Sequence, residues 1–245
     1  MRRRMDLRPE PASHGLALDE ALLESVRGGG EAIVRFWITE RAVIVGRSQR
    51  ITDEVDLAAA EEDGVPILRR ISGGGTVVQY PGNLNVSVLV ADAAAGSVEQ
   101  AFLRLGSCVA VALRGMGVDA RLEGSAVVSP LGKLCGAAQA RRGRALLYHS
   151  TLLFQPDVAP MERYLRALRS DYVSGRVPSK ARGTTTLSEI LHRSVTAEEA
   201  AAAVSSALTR TLGDSNDGGL TTIEVERAEA LRFGRYEDPT WTARG

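Results

Sequence analysis

The spacing of apolar residues changes several times along the chain, and each change marks a predicted element. Apolar residues recur at helical intervals over 16–26, 53–64, 97–115, 161–168 and 196–213. Short runs rich in β-branched residues predict strands over 32–38, 42–46, 66–71, 76–80 and 84–90, with shorter ones around 119–124 and 126–129. The stretch 133–154 predicts a hairpin with Arg142 and Gly143 at its tip. Two helices begin with capping-box spacing, at Ser97 with Gln100 and at Thr196 with Glu199.

The order of these elements indicates the fold class. Strands and helices do not alternate regularly, which favours an α+β fold with a mixed β-sheet flanked by helices over a doubly wound one. The segment 170–186 is rich in Ser, Gly, Pro and Thr and predicts a loop. The sequence DSNDGG at 214–219 predicts a linker, so we assign a main domain to 1–213 and a linker with a short helical tail to 214–245.

Composition is that of an ordinary globular protein. Of the 245 residues 44% are hydrophobic, and 30 basic residues balance 30 acidic ones. A chain without excess positive charge is not expected to bind nucleic acid, and no apolar run is long enough to cross a bilayer. The start MRRRM resembles the basic region of a signal peptide, but no apolar segment follows before Glu10 and Pro11. We therefore expect a cytoplasmic protein that binds neither nucleic acid nor membrane.

The scarce reactive residues carry further information. Of the 30 basic side chains only two, Lys133 and Lys180, are lysines. Because the planar fork of arginine cannot replace a compact ammonium group at a tight site, both lysines are candidates for chemistry, with chance retention as the alternative. Cys108 and Cys135 lie far apart, and neither they nor the three histidines have metal-ligand spacing. We expect no disulfide and no structural metal.

A glycine-rich segment at 69–88, RRISGGGTVVQYPGNLNVSV, is the first candidate for ligand binding. Three consecutive glycines permit close approach to the backbone and leave N–H groups free to face an anion. Arg69 and Arg70 can add charge-assisted hydrogen bonds, and Asn83 and Asn85, at alternate positions, are expected to face the same side. A plain glycine hairpin with two solvated arginines is the alternative. The lysine of a Walker A loop and the spacing of a Rossmann fingerprint are both missing.

The second candidate is the segment GKLCGAAQARRGRALLYHSTLLF at 132–154. Lys133 has small residues around it in the sequence, which leave room for a ligand against the strand. Its ammonium group could neutralise the charge that develops when a carboxylate attacks an α-phosphate. A surface lysine at a strand end is the alternative. On its own, His149 is interpreted as a half-buried histidine with satisfied hydrogen bonds.

Taken together, these segments resemble the lipoate-protein ligase A family, which has a biotin/lipoate ligase catalytic domain. RRISGGGTVVQYPGN resembles the signature Arg-Arg-x-Ser-Gly-Gly-Gly-Ala/Thr-Val followed by Gly-Asn. GKLCGAAQ and HSTLLF are similar to Lys-x-x-Gly-x-Ala and His-Gly-Thr-Leu-Leu, and VIVGRSQ to Val-x-x-Gly-Arg-x-Gln. LALDEALL, KARGTTTLSEIL and Trp241 also have counterparts, so the resemblance extends over nearly the whole chain. Three motifs in the same order are far more specific than one.

The resemblance implies a class II synthetase-like catalytic domain over 1–213 that binds lipoate or octanoate and ATP, with Mg²⁺, in one cleft. It implies that Lys133 contacts both the acyl carbonyl and the phosphate. The residues implied to line the acyl site are Arg70, Ser72, Gly73, Gly74, Gly75 and His149. Those implied on the nucleotide side are Val77, Asn83 and Lys180, the last in a loop that closes over the adenylate. The implied partners are a lipoyl carrier domain and, in some members, a separate accessory chain.

The sequence departs from the family pattern at three places. Gln79 and Tyr80 replace His-Asp or His-Gly, and Ser150 replaces the glycine of His-Gly-Thr. Ala126 stands where the family often has an acidic residue, and a carboxylate is a natural Mg²⁺ ligand. The last departure bears on metal-assisted ATP chemistry.

Three functions therefore remain open. The leading hypothesis is a ligase that forms lipoyl-AMP and passes the acyl group to a carrier lysine. The second is a cysteine-dependent octanoyl or lipoyl transferase. No cysteine lies near Ser125, where one transferase class has its nucleophile, but Cys135 should share a strand face with Lys133. We favour Cys135 as a small apolar filler. The third is a non-catalytic member that binds acyl groups or carriers, which the retention of Lys133 argues against.

The C-terminal tail leads to an expectation about partners. Larger members of the family append a small C-terminal domain that helps to close the site, and residues 214–245 are too few to form a second core. We therefore expect weak adenylation by this chain alone and a need for an accessory chain. The alternative is that the tail, with Tyr236 and Trp241, packs on the main domain and the loop around Lys180 closes unaided.

Overall fold

Within residues 2–91 and 96–244, which this computed structural model describes, eleven strands form two sheets. The strands are Arg2–Pro9 (β1), Ala32–Ile38 (β2), Ala42–Val45 (β3), Ile67–Arg69 (β4), Val77–Gln79 (β5), Asn83–Ala91 (β6), Arg121–Glu123 (β7), Ala126–Ser129 (β8), Gly132–Arg142 (β9), Ala145–Leu153 (β10) and Asn216–Asp217 (β11). The larger sheet has the order β11-β1-β2-β6-β10-β9-β8-β7, and the smaller one the order β4-β3-β5.

Helices cover both faces of the larger sheet. They are Ala12–Arg27 (α1), Ile51–Glu54 (α2), Leu57–Glu62 (α3), Val98–Gly115 (α4), Leu187–Leu191 (α5), Ala197–Leu212 (α6), Thr222–Leu231 (α7) and Pro239–Thr242 (α8). Two 3₁₀ turns, Met161–Arg163 and Arg166–Leu168, and a π turn, Arg232–Tyr236, complete the described elements. Strand β1 pairs in parallel with β2 and β11, whereas the other pairs of the larger sheet are antiparallel. The predicted α+β fold with a mixed sheet is confirmed.

The alternation of side chains along the central strands separates two cores. On β6, Leu84, Val86 and Val88 face a core built with α4 and α6. Leu89 faces the opposite core, which contains the apolar stripe of α1 and residues of α7. The smaller sheet has its own cluster with α3 and the 3₁₀ turn at Met161–Arg163. The face of β6 that carries Asn85 and Ser87 is the one on which the site lies.

Several predicted elements are confirmed. Helix α4 begins with the predicted capping box. The Ser97 hydroxyl accepts a hydrogen bond from the backbone N–H of Gln100, and the Gln100 side-chain oxygen accepts one from the backbone N–H of Ser97. Strands β9 and β10 form the predicted hairpin, with Gly143 at its tip in the left-handed region at φ 57°. At the start of α6, Thr196 caps the helix as predicted. The Glu199 carboxylate, however, pairs with Arg193 instead of returning to the cap.

Two predicted helices are wrong in their extent. The helix predicted over 53–64 is divided into α2 and α3, because Val55 forms an isolated antiparallel bridge with Leu165. That bridge also divides the helix predicted over 161–168 into two 3₁₀ turns. Asp56 then caps the start of α3: its side chain accepts a hydrogen bond of 2.9 Å from the Ala59 N–H.

The two ends of the described chain add strands that the pattern did not predict. The basic start forms β1, whose Arg3 pairs with Glu224 of α7. Inside the predicted linker at 214–219, Asn216–Asp217 forms β11 beside β1. Residues that follow pack on the main body, because α7 lies against α1 and the Tyr236 hydroxyl donates to Glu20 at 2.8 Å. The division of the chain at residue 213 stays a prediction.

Candidate active site

A cavity of about 430 Å³ lies between the larger sheet, the smaller sheet and the start of α1. Its floor is the face of β2, β6, β9 and β10 that points away from α4, and strand β5 forms a wall. The apolar lining includes Leu16, Trp37, Ile44 and Val77. The polar and charged lining includes Arg70, Gln79, Asn85, Lys133, His149, Lys180 and Arg182. Both sequence motifs therefore contribute to one cavity.

The glycine-rich loop is shaped by Arg70 from within. Its guanidinium donates to the carbonyl oxygens of Ile44 at 3.1 Å, Gly73 at 2.7 Å and Gly75 at 2.8 Å, and to the Ser72 hydroxyl at 3.0 Å. Burial lowers the pKa of Arg70 to about 10. Most of the N–H groups of Arg70 already donate to backbone carbonyl oxygens. The main role of this side chain is therefore to hold the loop in place, and few of its donors are left for a ligand.

The loop residues divide into those that reach the cavity and those that support it. Gly74 and Gly75 line the cavity, whereas Ser72 and Gly73 lie outside the lining. Gly74 has φ 89°, which favours glycine. Its carbonyl oxygen would lie 2.0 Å from a Cβ at Gly46, so the VIVGRSQ segment also needs glycine at this contact.

Lys133 enters the cavity from the start of β9. Its backbone N–H donates to Gly183 at 2.9 Å and its carbonyl accepts from Thr185 at 3.0 Å, so strand and loop fix its position. Its Nζ lies over Gly136, where a Cβ would be 2.7 Å away. No residue in the described part of the chain forms an ion pair with Lys133. Burial lowers the pKa of this ammonium group, with Arg182 and Arg70 adding to the effect.

Cys135 does not share the face of Lys133, so that expectation is wrong. The register between β8 and β9 shifts between Val127 and Val128, which makes Leu134 an extra residue on β9. The bulge turns Cys135 into the core shared with α4 and α6. Burial raises the pKa of its thiol to about 11.

His149 connects the glycine loop to a buried carboxylate. Its Nε2 lies 2.6 Å from the Ser72 hydroxyl, and its Nδ1 lies 3.7 Å from Asp19 of α1. Burial opposes ionisation of Asp19, but Arg35, His149 and Ser87 together lower its pKa. Its residue type alone predicted that His149 has satisfied hydrogen bonds, and the resemblance predicted that it lies at the acyl site. These two predictions are therefore compatible. Asp19 was missed, although an acidic residue inside the apolar stripe of LALDEALL is a usable signal.

The loop that carries Lys180 is attached to the glycine-rich segment. Ser179 accepts a hydrogen bond of 2.8 Å from the Thr76 N–H, and its own N–H donates to Glu54. Gln49 of the VIVGRSQ segment donates to Ser179 at 3.1 Å and accepts from Thr76 at 2.9 Å. Lys180 therefore lines the cavity from an otherwise exposed position. Gln49 and Glu54 were not among the predicted site residues.

The two asparagines of the signature have different positions. Asn85 lines the cavity together with Val77, as does Gln79. Asn83 lies outside the lining, where its carbonyl oxygen accepts from the Tyr80 N–H at 3.1 Å and stabilises the turn. Of the three residues predicted on the nucleotide side, Val77 and Lys180 line the same cavity and Asn83 does not.

Carboxylates are absent from the described lining of the cavity. Ala126 faces Gly136 across the strands at the position where an acidic residue is often found. The described ranges also contain no group of three or more His, Cys, Asp or Glu side chains that could hold a metal ion. In the same ranges no helix is both long and apolar enough to cross a membrane.

Comparisons with known proteins decide the family. Residues 11–209 match the family model described as lipoyl protein ligase A/B catalytic domain. The chain belongs to this family. The predicted resemblance to the lipoate-protein ligase A family and the predicted class of enzyme are confirmed.

Similar proteins include both ligases and transferases. A candidate lipoate-protein ligase A of Aeropyrum pernix is 32% identical, with 90% of this chain and 84% of that protein covered. The lipoate-protein ligase LplJ of Bacillus subtilis is 30% identical, covering 84% of this chain and 62% of its own length. An octanoyltransferase LipM of Symbiobacterium thermophilum is 28% identical over 99% of this chain and 98% of the transferase.

Solved structures share the architecture. The bi-partite lipoate protein ligase of Thermoplasma acidophilum, described with its E2 lipoyl domain, has a TM-score of 0.86 and 28% identity, and covers 99% of this chain and 96% of its own. A lipoate-protein ligase A bound with ATP has a TM-score of 0.84 and 26% identity, covering 99% of both chains. The predicted class II synthetase-like ligase fold is confirmed.

Proposed function

We propose that this protein is a lipoate-protein ligase that activates lipoate or octanoate with ATP and transfers the acyl group to a lysine of a lipoyl carrier domain. The unpaired ammonium group of Lys133 carries the proposal. A cation removed from water without a counter-ion is costly, and an anionic ligand in the cavity would compensate it. Both the acyl carboxylate and the α-phosphate are such ligands.

In the first step, a carboxylate oxygen attacks the α-phosphorus, a P–O bond forms, and pyrophosphate leaves with the electron pair of the broken P–O bond. Lys133 would stabilise the charge on the acyl carboxylate and on the phosphate oxygens as this occurs. Mg²⁺ would enter as the complex of ATP, held by phosphate oxygens and water. The backbone of Gly74 and Gly75 would form the wall beside the reacting groups.

In the second step, the amine of the carrier lysine attacks the acyl carbonyl and AMP leaves. The cavity opens toward a wider groove of about 770 Å³, with which it shares Leu153, Met161, Leu168, Arg182 and Thr184. The groove gives space for the nucleotide and for entry of a carrier lysine. The Thermoplasma ligase described with its lipoyl domain supports this partner, and the ligase bound with ATP supports the nucleotide.

The transferase hypothesis has a specific weakness in this chain. A transferase would need a thiolate that reaches the acyl group, and Cys135 is buried in the core with a raised pKa. Cys108 is buried in the same core. The similarity to an octanoyltransferase is therefore not accompanied by an accessible cysteine nucleophile, and we favour adenylation.

Release of pyrophosphate distinguishes the two reactions, because only a ligase produces it. The purified chain is incubated with ATP, Mg²⁺ and lipoate, and pyrophosphate is measured with and without the acid. Acid-dependent release is expected, with Lys133→Ala as the inactive control. Acyl transfer from an octanoyl carrier in the absence of ATP would contradict the proposal. The cytoplasmic location and the need for an accessory chain are further parts of the proposed function, and both stay predictions.

A further inference from the structure

A short strap, residues 180–182, connects two walls of the cavity. At one end Ser179 is attached to the glycine-rich segment, since its hydroxyl accepts a hydrogen bond of 2.8 Å from the Thr76 N–H. At the other end Gly183 is attached to β9, since its carbonyl accepts a hydrogen bond of 2.9 Å from the Lys133 N–H. The chain from Ser179 to Gly183 can extend over at most about 13 Å. Each residue of the strap therefore lies close to both walls.

Lys180 is the first residue of the strap, and its side chain has freedom to move over the cavity. It is exposed, and it lines the same cavity as Lys133. Within the described part of the chain its ammonium group has no hydrogen bond or ion pair. The side chain of a lysine extends roughly 6 Å from its Cα, by the ordinary lengths of its bonds. Because the strap is short, the amine of Lys180 can reach a ligand that Lys133 holds.

Lys180 is also one of only two lysines in the chain, which limits the amines that can react. The other 28 basic side chains are arginines, whose guanidinium groups stay charged and cannot accept an acyl group. In the proposed reaction Lys133 faces the phosphate as an ammonium group, and an ammonium group has no lone pair for attack. Of the two lysine side chains, Lys180 is therefore the one placed to react with an acyl adenylate.

We propose that Lys180 is a modification site, which accepts the acyl group from the acyl adenylate when no carrier domain is present. This inference rests on the proposed function. The neutral amine of Lys180 attacks the acyl carbonyl carbon, and an amide bond forms. The bond from that carbon to the phosphate oxygen breaks, AMP leaves with its electron pair, and the amine proton passes to water. The reaction is the proposed transfer to a carrier lysine, performed within one chain, where the strap replaces binding of the carrier.

Acylation would change the strap in two ways. It removes the positive charge of Lys180, and it leaves a medium-chain tail at the cavity. A chain modified in this way should bind a second acid and ATP poorly, so the reaction without a carrier limits itself. A carrier lysine that enters through the adjoining groove would compete with Lys180 for the adenylate and keep the strap unmodified.

Adenylate that is supplied directly tests the acceptor without depending on adenylation. The full chain is incubated with an excess of synthetic octanoyl-AMP and no carrier domain, and the octanoyl group is located by mass spectrometry of peptides. We expect an octanoyl amide on Lys180, and we expect Lys180→Arg to lose it. Because the step occurs within one chain, its rate constant should stay the same when the protein is diluted about tenfold.

Arg144→Lys provides a matched amine away from the cavity. Arg144 is exposed in the turn between β9 and β10 and lies outside the cavity lining. In this variant Lys180 should be acylated at least about tenfold faster than the introduced amine, because only Lys180 is held beside bound adenylate. Octanoyl-AMP that reacts from solution would modify both amines at similar rates.

The proposal is overturned if no octanoyl group is found on Lys180, if Lys133 carries it instead, or if the introduced amine reacts as fast as Lys180. A separate incubation with ATP, Mg²⁺ and octanoate, in which pyrophosphate is measured, tests the ligase proposal. Modification of Lys180 by octanoyl-AMP without acid-dependent pyrophosphate release would contradict the ligase proposal and support the assignment of Lys180. Pyrophosphate release without modification of Lys180 would mean the reverse.

Discussion

Lys133 is held in a position that is unfavourable for its own charge. Its backbone is fixed by Gly183 and Thr185, its Nζ lies over Gly136, and no described residue forms an ion pair with it. Such an arrangement lowers the stability of the protein, which is expected when the group has a role in binding or catalysis. The scarcity of lysine in the sequence indicated this residue, and its surroundings give the physical reason.

Replacement of Lys133 should separate activity from stability. Lys133→Met should abolish acid-dependent pyrophosphate release while raising the free energy of unfolding by about 1 kcal/mol at neutral pH, because it removes a half-buried charge that has no ion-pair partner among the described residues. Lys133→Arg should also be inactive, since a wide fork cannot replace a compact charge. Urea titrations and the pyrophosphate assay measure the two effects. A less stable Lys133→Met protein with normal turnover would mean that the role is structural.

The same lysine gives a pH dependence of defined sign. Its pKa is lowered in the folded protein, so the unfolded chain binds more protons between the folded and the ordinary value. The free energy of unfolding should therefore rise with pH across that window. The slope should be smaller in Lys133→Met. Urea midpoints at a series of alkaline pH values provide the measurement, and equal slopes for both proteins would speak against a lowered pKa.

Cys135 offers the opposite test, because it is close to Lys133 in sequence but not in orientation. Cys135→Ser should leave ligase turnover nearly unchanged and cost stability by about 1 kcal/mol, since it places a hydroxyl in the core. Mass spectrometry of the wild type after incubation with an acyl donor should find no thioester. An acyl group on Cys135 would restore the transferase hypothesis.

At the scale of elements, the sequence predicted those whose signal is local. The capping box at Ser97 and the tip at Gly143 belong to their own elements, and both are confirmed. The bridge from Val55 to Leu165 is a long-range contact, and the bulge at Leu134 depends on the register between β8 and β9, so no pattern within one element reveals them. The bulge matters most, because it places Lys133 and Cys135, which are two residues apart and would otherwise share a face, on different faces.

The predicted site shows the same limit. The glycine-rich motif and Lys133 were found because their residue types are unusual at those positions. Gln49 and Glu54, which attach the Lys180 loop, were missed because ordinary polar residues become site residues only through contacts made in the folded chain. The alternate spacing of Asn83 and Asn85 likewise does not reveal that Asn85 lines the cavity whereas Asn83 stabilises a turn.

The carboxylate of Glu224 connects α7 to Arg3 of β1. Burial opposes ionisation of Glu224, but hydrogen bonds from Arg3 at 2.8 and 2.5 Å and from the Thr221 N–H outweigh it and lower its pKa to about 2. This contribution to stability is present above the unfolded pKa and is lost as pH falls from 4.5 toward about 2.

Glu224→Gln keeps the cap on Thr221 and removes the charge. It should reduce the free energy of unfolding by about 2 kcal/mol at neutral pH and flatten the loss between those two pH values. Chemical denaturation over a pH series measures both effects. Glu226→Gln on the exposed face of the same helix is the matched control. Identical behaviour of the two variants would contradict the role of the Arg3 pair.

At the scale of the whole molecule, the tail is part of the body that holds the site. The Trp241 indole N–H donates to the Arg69 carbonyl at 2.8 Å, and Arg69 donates to the carbonyls of Gly46, Gln49 and Thr242. These bonds support the segment beside the glycine loop from behind. Among the described residues, none of the tail lines the cavity or the adjoining groove, and the need for an accessory chain stays a prediction.

We expect the purified chain alone to lipoylate a carrier domain at least about tenfold more slowly than the chain supplied with an accessory chain. An open groove weakens each electrostatic contact and exposes the acyl phosphate to water. Transfer of acyl groups to a lipoyl domain, measured with and without the second chain, tests this. Full-rate transfer by the single chain would favour unaided closure by the Lys180 loop.

The bond between Trp241 and Arg69 also has a consequence for the order in which the protein is made. Helix α1 and the glycine loop leave the ribosome well before their packing partners α7 and α8, which lie far along the chain. Contacts so distant in sequence carry a large loop-closure entropy and slow the final step of folding. The site can therefore take its final shape only after synthesis of residues 222–242, so a growing chain that has not yet reached them holds an unfinished active site.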